Sequence, residues 1–346
     1  MIAAPHKERA IAIWLFIVCA MIFAMVLLGG ATRLTHSGLS MVEWHPLFGV
    51  LPPMSEATWQ NVFKRYQEFP EYQKINFAMT LAEFKRIFLF EYSHRVLGRV
   101  IGVAFALPFL YFLLRRKLSW YLAPRLVVMF ILGALQGVLG WYMVQSGLVE
   151  RPDVSPYRLA AHLGLAVIIY AYMLWTAMSL LQPVRRTPLA IGRGQVLRIA
   201  TPIVTGAIFL TILSGAFVAG NDAGLAYNSF PLMDGRFVPA DIFRLEPWWR
   251  NFFENLPLVQ LDHRLLALLV VIATMTLWLA SWRQPLSAGA RRAITAWAVT
   301  TVAQLALGIF TLLLFVPVPL GIAHQAGALL TLTMALWTCH ELSGRG

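Results

Sequence analysis

The stretch FEYSHRVLGRVIGVAFALPFLYFLL, residues 90–114, decides how this chain is read. It opens on Glu91, His94, Arg95 and Arg99 and then runs apolar to Leu114. The apolar part is close to the roughly 20 residues that a helix needs to cross a bilayer. Ionisable groups at the mouth of such a helix are costly, and so they mark a use.

Composition extends that reading to the whole chain. Of its 346 residues, 59% are hydrophobic and 13% charged, against about 25% charged in an ordinary soluble domain. Seven further stretches resemble 94–114 in length and hydropathy: 11–30, 124–145, 158–181, 198–219, 263–282, 293–316 and 319–340. They predict an all-α integral membrane protein with eight spanning helices. A β-barrel is excluded by segment length, since barrel strands are about half as long. The first apolar run has no small-residue cleavage site after it and reads as a retained anchor. Cys19 and Cys339 lie inside apolar segments without metal-motif spacing, and read as buried free thiols.

The net charge of +12 is mostly a topology signal. Arg115, Arg116, Lys117 and Arg125 follow span two, Arg185, Arg186, Arg193 and Arg198 follow span four, and Arg283, Arg291 and Arg292 follow span six. No acid accompanies them. The loop between spans five and six instead carries Asp222, Asp234, Asp241, Glu246, Glu254 and Asp262. The positive-inside rule puts the basic loops and both termini in the cytoplasm. Charge distributed this way argues against nucleic acid as a partner. The longest outer loop, 31–93, contains an aromatic and charged stretch suited to an interface. It also contains Thr80 and Glu83 at capping-box spacing, which predicts a helix along the surface or straight into span two.

The second half of the chain echoes the first. FEYSHRVLGRVIG is answered by VQLDHRLLALLVV, aligning His94-Arg95 with His263-Arg264. LQGVLGWYM is answered by AQLALGIFT, aligning Gln136 with Gln304 and Gly140 with Gly308. AAHLGLAV is answered by IAHQAGAL, aligning His162 with His324. Four spans per copy make this a parallel repeat. The expectation is two tandem four-helix bundles, 1–190 and 191–346, joined by a Pro/Gly/Arg-rich link.

His94, His162, His263 and His324 begin alternate spans, all toward the outer face. If spans two and four of each bundle face each other, each half offers two opposed imidazoles. That suits a planar metallocycle with two axial ligands, and haem sites in bundles are built this way. A zinc site would want a third protein ligand, which Glu91 offers only in the first half. A proton relay and simple helix-end histidines remain open. Arg33, Arg95, Arg99 and Arg264 are candidates to pair with haem propionates, or else to reach lipid headgroups.

The two halves differ at one informative position. Glu91 lies three residues before His94, on the same helix face. The matching residue before His263 is Gln260. A carboxylate beside a redox centre can take or deliver protons, and an amide cannot. The first half therefore reads as reactive and the second as a permanent electron-transfer site. The alternative for Glu91 is a surface carboxylate paired with Lys85, Arg86 or Arg95.

GGATRLTHSGLS after span one, EYSHRVLGR, HLGLA, LDHR and AHQAGA occur in order along nearly the whole chain. Together they resemble the haem A synthase family, and the long first outer loop resembles its proteobacterial and mitochondrial branch. Shorter bacterial members often carry an outer-loop cysteine pair; this chain has none there. The resemblance implies oxidation of the methyl group at ring position 8 of haem O to a formyl group, by successive hydroxylation, giving haem A for terminal oxidases. It implies haem b held by His263 and His324, the substrate haem flanked by His94 and His162, and Glu91 as the catalytic carboxylate. It also implies a membrane-bound supplier of haem O, an electron acceptor that the sequence does not identify, a homo-oligomer, and a bacterial inner-membrane location. The alternatives are a two-haem electron-transfer cytochrome and a non-catalytic haem carrier. The Glu91–Gln260 asymmetry discriminates, because an electron wire has no need of it.

Overall fold

The computed structural model describes residues 6–43, 51–148, 152–181 and 193–343. Its α-helices are α1 (His6–Leu34), α2 (Glu56–Tyr66), α3 (Pro70–Lys74), α4 (Leu81–Leu114), α5 (Leu122–Gln145), α6 (Pro156–Leu181), α7 (Arg193–Gly220), α8 (Asn251–Glu254), α9 (Leu256–Ser281), α10 (Ala288–Leu313) and α11 (Val318–Leu342). Eight are long and apolar enough to cross a membrane: α1, α4, α5, α6, α7, α9, α10 and α11. No strand occurs among the described residues, only an isolated bridge between Met233 and Arg236. Both cysteines are free thiols.

The helices begin earlier than the apolar runs suggest, and this corrects one expectation. The Thr80 hydroxyl accepts from the Glu83 N–H, and the Glu83 carboxylate accepts from the Thr80 N–H at 2.8 Å. This reciprocal cap starts α4 at Leu81 and carries it through the outer segment into the apolar run without a break. His94 is therefore well inside α4. His162, His263 and His324 likewise lie past the first turns of α6, α9 and α11. The positive end of a helix dipole acts only over the first turn, so it does not bear on these histidines. They sit at depth in the spans.

The described chain divides into two compact units, Met1–Phe23 with Val167–Gly346, and Ala24–Ala166. The expected boundary at 190/191 falls outside the described residues. In the first unit α7 packs on α9, α9 on α10, α10 on α11 and α11 back on α7. That closed ring sets α9 and α11 on a diagonal. Ala290, Ala293 and Ala298 of α10 are buried, small residues allowing close helix approach, and Trp297 is buried among them. Leu265, Leu268, Leu269 and Ile272 of α9 are exposed, an apolar outer face that suits lipid rather than water.

In the second unit α4 packs on α5, and α2 packs on α4. The N-cap of α2 is Ser55, and its oxygen accepts from the Thr58 N–H. A buried aromatic core of Tyr66, Phe84 and Phe88 fixes the outer segment on α4, with Met41, Trp59, Phe63 and Tyr72 around it. Glu71 is buried in this segment. Its carboxylate accepts from the Tyr66 hydroxyl at 3.0 Å, which itself accepts from Asn76 Nδ2 at 2.8 Å. Burial pushes the Glu71 carboxyl up to about 7; the nearby Glu91 and Asp153 add to this, and the Tyr66 hydrogen bond opposes it.

The sign of the consequence follows from linkage. An acid whose proton affinity is raised by folding costs no stability while both states are protonated. Stability then falls as pH rises from the ordinary 4.5 towards about 7, and stays low above. Glu71→Gln should remove this dependence. The gain in Tm of Glu71→Gln over wild type should grow across that interval and level off. A gain independent of pH would show that folding leaves the proton affinity of Glu71 unchanged.

Candidate functional site

Each of the four deep histidines rests against a glycine of the preceding span. A Cβ built on Gly140 of α5 would lie 2.9 Å from Cε1 of His162. A Cβ on Gly215 of α7 would lie 3.1 Å from Cε1 of His263, and one on Gly308 of α10 would lie 2.8 Å from Cε1 of His324. A Cβ on Gly29 of α1 would lie 3.3 Å from Nε2 of His94. These glycines clear the space that an imidazole occupies against a neighbouring backbone.

In the unit holding α7 to α11, His263 and His324 face each other across the helix ring with centroids 6.3 Å apart. Two metal–imidazole bonds of about 2 Å plus the two ring radii come to roughly 6 Å. Ser214 Oγ lies 2.8 Å from His263 Nδ1. Gln304 Nε2 donates to the His324 carbonyl at 2.9 Å and lies 3.1 Å from its Nδ1. Arg264 donates through Nη2 to Tyr227 O at 2.9 Å and to Gln260 Oε1 at 3.1 Å. Its Nε and Nη1 are buried with no partner among the described residues. Two orphaned guanidinium donors offer a fork for a carboxylate.

In the other unit His94 and His162 are close enough to interact electrostatically. Gln136 Nε2 donates to the His162 carbonyl at 2.9 Å and lies 3.2 Å from Nδ1, as Gln304 does at His324. Glu91 is buried. Its Oε2 accepts from Ser40 Oγ and from the Met41 N–H, both at 2.7 Å, and its Oε1 pairs with Arg95 Nη2 at 2.5 Å. Arg95 also donates to Met41 O at 2.8 Å and Glu43 O at 3.0 Å. Glu91 and Arg95 together latch the segment after α1 onto α4. Gln260 and Arg264 do the same with the segment after α7, in the opposite polarity. There the Gln260 amide donates to Ala223 O at 2.8 Å and to Tyr227 O at 3.3 Å. The acid grips an N–H and a hydroxyl, and the amide grips carbonyls.

The residues of the His263–His324 site fit a haem. The spacing across the ring, the glycine-cleared imidazoles and the orphaned Arg264 donors all suit a planar metallocycle carrying carboxylates. No group of three or more His, Cys, Asp or Glu side chains converges as a metal cage among the described residues. A zinc-type site therefore has no third ligand here.

Residues 12–336 match the COX15-CtaA family, described as cytochrome oxidase assembly protein. The chain is 54% identical over 335 residues to a protein of Nitrosospira multiformis named Heme A synthase, covering 97% of this chain and 94% of that one. It is 46% identical over 349 residues to the human protein named Heme A synthase COX15, covering 99% and 85%. A Parvibaculum lavamentivorans protein named Heme A synthase is 49% identical over 338 residues, covering 97% and 95%. This chain belongs to the COX15-CtaA family.

Within that family frame, the ring centroids of His263 and His324 lie 6.3 Å apart, and His94 and His162 lie in one unit. Arg264 has donors left over, whereas Arg95 binds Glu91 and two carbonyls. Arg33 lies at the end of α1, its Nη1 3.5 Å from His36 Nδ1, and Arg99 lies one turn below Arg95. Glu91 does pair with Arg95, as the alternative reading held, but inside the protein rather than on its surface. Sequence reasoning missed Ser40, Ser214 and the cradle role of the glycines. The repeat had aligned Gln136 with Gln304 and Gly140 with Gly308, a signal whose meaning appears once the helices pack.

Proposed function

We propose that this chain is a haem A synthase, oxidising the ring C8 methyl group of haem O to a formyl group. The observation carrying this reading is the inequality of the two histidine sites: His263 and His324 oppose each other beside the amide of Gln260, whereas His94 has the buried carboxylate of Glu91 on its own helix. Family membership and relatives named Heme A synthase support it.

In this reading the two tandem bundles hold different haems. His263 and His324 hold haem b, and Arg264 takes a propionate on Nε and Nη1. When bound there, haem b supplies one-electron redox chemistry. His94 and His162 flank haem O as substrate, with Arg33, Arg95 and Arg99 near enough in sequence to meet its propionates. Glu91 is the base that accepts a proton as the methyl group is oxidised. Its three hydrogen bonds hold and aim the carboxylate before substrate arrives. The aromatic core over α4 excludes water from that side. Electrons leave to an acceptor in the membrane, and haem O arrives from a membrane-bound supplier. The basic loops and both termini lie in the cytoplasm, the haem sites toward the outer face of the inner membrane, and the chain assembles as a homo-oligomer.

Extraction of haems from the purified protein, followed by chromatography, tests this. Haem b together with haem O, its alcohol or haem A is expected. His263→Ala and His324→Ala should each lose haem b selectively. Two haem b per chain and no haem O derivative would instead favour an electron-transfer cytochrome.

A further inference from the structure

The four histidines are not held alike. His162, His263 and His324 each turn the Cε1 edge to their glycine, and each has a side-chain partner within reach of Nδ1. His94 instead presents its Nε2 edge to Gly29, with Nε2 at 3.3 Å and Cδ2 at 3.6 Å from the built Cβ. Its ring nitrogens make no hydrogen bond among the described residues. The nitrogen that a metal would take is thus turned toward the α1 backbone.

His263 is the opposite case. Ser214 donates its own hydroxyl hydrogen to Thr211 O at 2.8 Å. Its oxygen lone pairs are left for His263 Nδ1 at 2.8 Å. A ring that donates from Nδ1 carries its open lone pair on Nε2, the form that binds a metal. The helix turn that satisfies Ser214 therefore also sets the tautomer and the angle of His263. The matching stretch of α1 offers Leu28, Gly29 and Gly30, with no hydroxyl.

We propose that Ser214 is a positioning residue that makes His263 a fixed iron ligand, and that His94, lacking any such partner, is a swinging ligand that lets the N-terminal haem leave. This rests on the haem-holding reading above. It gives a physical reason why one half would keep its haem as cofactor while the other exchanges substrate for product. The two halves use the same ligands, and the difference lies in how each ligand is braced.

The test uses the full-length protein in detergent, loaded with haem. Transfer to excess apomyoglobin, followed by absorbance, should show a fast and a slow phase. His94→Ala should remove or accelerate the fast phase only, and His324→Ala the slow one. Ser214→Ala should speed the slow phase by roughly 10- to 100-fold, the usual effect of losing a partner behind a metal ligand. Ser214→Thr, which keeps the hydroxyl, should restore it. Cyanide added to the wild-type ferric protein should displace a histidine from the fast-phase haem alone, seen as a change in its Soret band, and this needs no variant. The proposal is overturned if Ser214→Ala leaves the slow phase unchanged, if the phases do not separate, or if cyanide attacks both haems equally. These readouts concern haem retention, not turnover. A protein that shows them yet makes no haem A would refute the synthase reading and leave this one standing. A protein that takes up no haem in either half would refute both.

Discussion

Glu91→Gln is expected to cut haem A formation by about 10²- to 10⁴-fold, the usual contribution of a positioned proton-transfer group, with haem b content unchanged. The structure shows why a single variant is not enough. Glu91 is also a latch: a glutamine would turn an N–H₂ group toward the Met41 N–H or leave one donor unmet. A buried donor without a partner costs about 1–3 kcal/mol, so activity could fall because the segment after α1 loosens. Ser40→Ala separates the two effects. It removes one latch bond and leaves the carboxylate, the Arg95 pair and the Met41 N–H in place. A lost hydrogen bond of this kind is worth about 1.5–3 kcal/mol at most, and hydrogen exchange should rise at residues 37–43. Haem A formation, timed by chromatography of extracted haems, should remain well above that of Glu91→Gln. If Ser40→Ala falls as far as Glu91→Gln, Glu91 acts as a latch and not as a base. Unimpaired haem A formation in Glu91→Gln would remove it from the chemistry altogether.

That ambiguity bears on how the Glu91–Gln260 difference is read. From the sequence it is a difference in acid–base capacity. In the structure it is also a difference in hydrogen-bond polarity, since each residue matches the backbone groups of the segment it holds. Both statements are true of the same atoms. The asymmetry therefore carries two meanings at once; the His94 ring, which makes no hydrogen bond among the described residues, is a second, independent difference between the halves.

The number of spans was legible because hydropathy over about 20 residues is a strong one-dimensional signal. Helix starts were less so. Leu256 begins α9 ahead of the apolar run read from 263, whereas the start of α4 at Leu81 was marked by the Thr80–Glu83 cap. The pairing of His263 with His324 could be expected from alternation along the chain. The contacts that orient the rings could not. Ser214 reaches His263 across 49 residues of sequence, and Ser40 reaches Glu91 across 51. A serine in an apolar helix carries no periodic signature, and its partner is set only by how the helices cross. The glycines were visible as repeat matches at Gly140 and Gly308. Their use became clear only when each proved to face an imidazole.

Gly308→Ala offers the sharpest test of that use. Alanine is favoured over glycine in a helix by about 1 kcal/mol, so the substitution should not weaken α10 itself. Its Cβ would nevertheless lie 2.8 Å from His324 Cε1, closer than packed carbon atoms approach. The ring must move, and Gln304, which binds the His324 carbonyl and reaches Nδ1, limits where it can go. The expected result is loss of haem from the His263–His324 site with helix content and Tm of the haem-free protein kept or raised. A loss of affinity of roughly 10- to 100-fold is in scale with disturbing the surroundings of a metal ligand. Gly206→Ala is the matched control, because nothing lies within 4 Å of a Cβ built there; it gains the same helix propensity and should hold haem normally. Gly140→Ala should act on the His162 site in the same way, through a contact of 2.9 Å. Pigment spectra of the purified variants decide the matter. If Gly308→Ala keeps its haem as firmly as Gly206→Ala does, the glycine is not part of the cradle, and the close approach of α10 to His324 must be explained by helix packing alone.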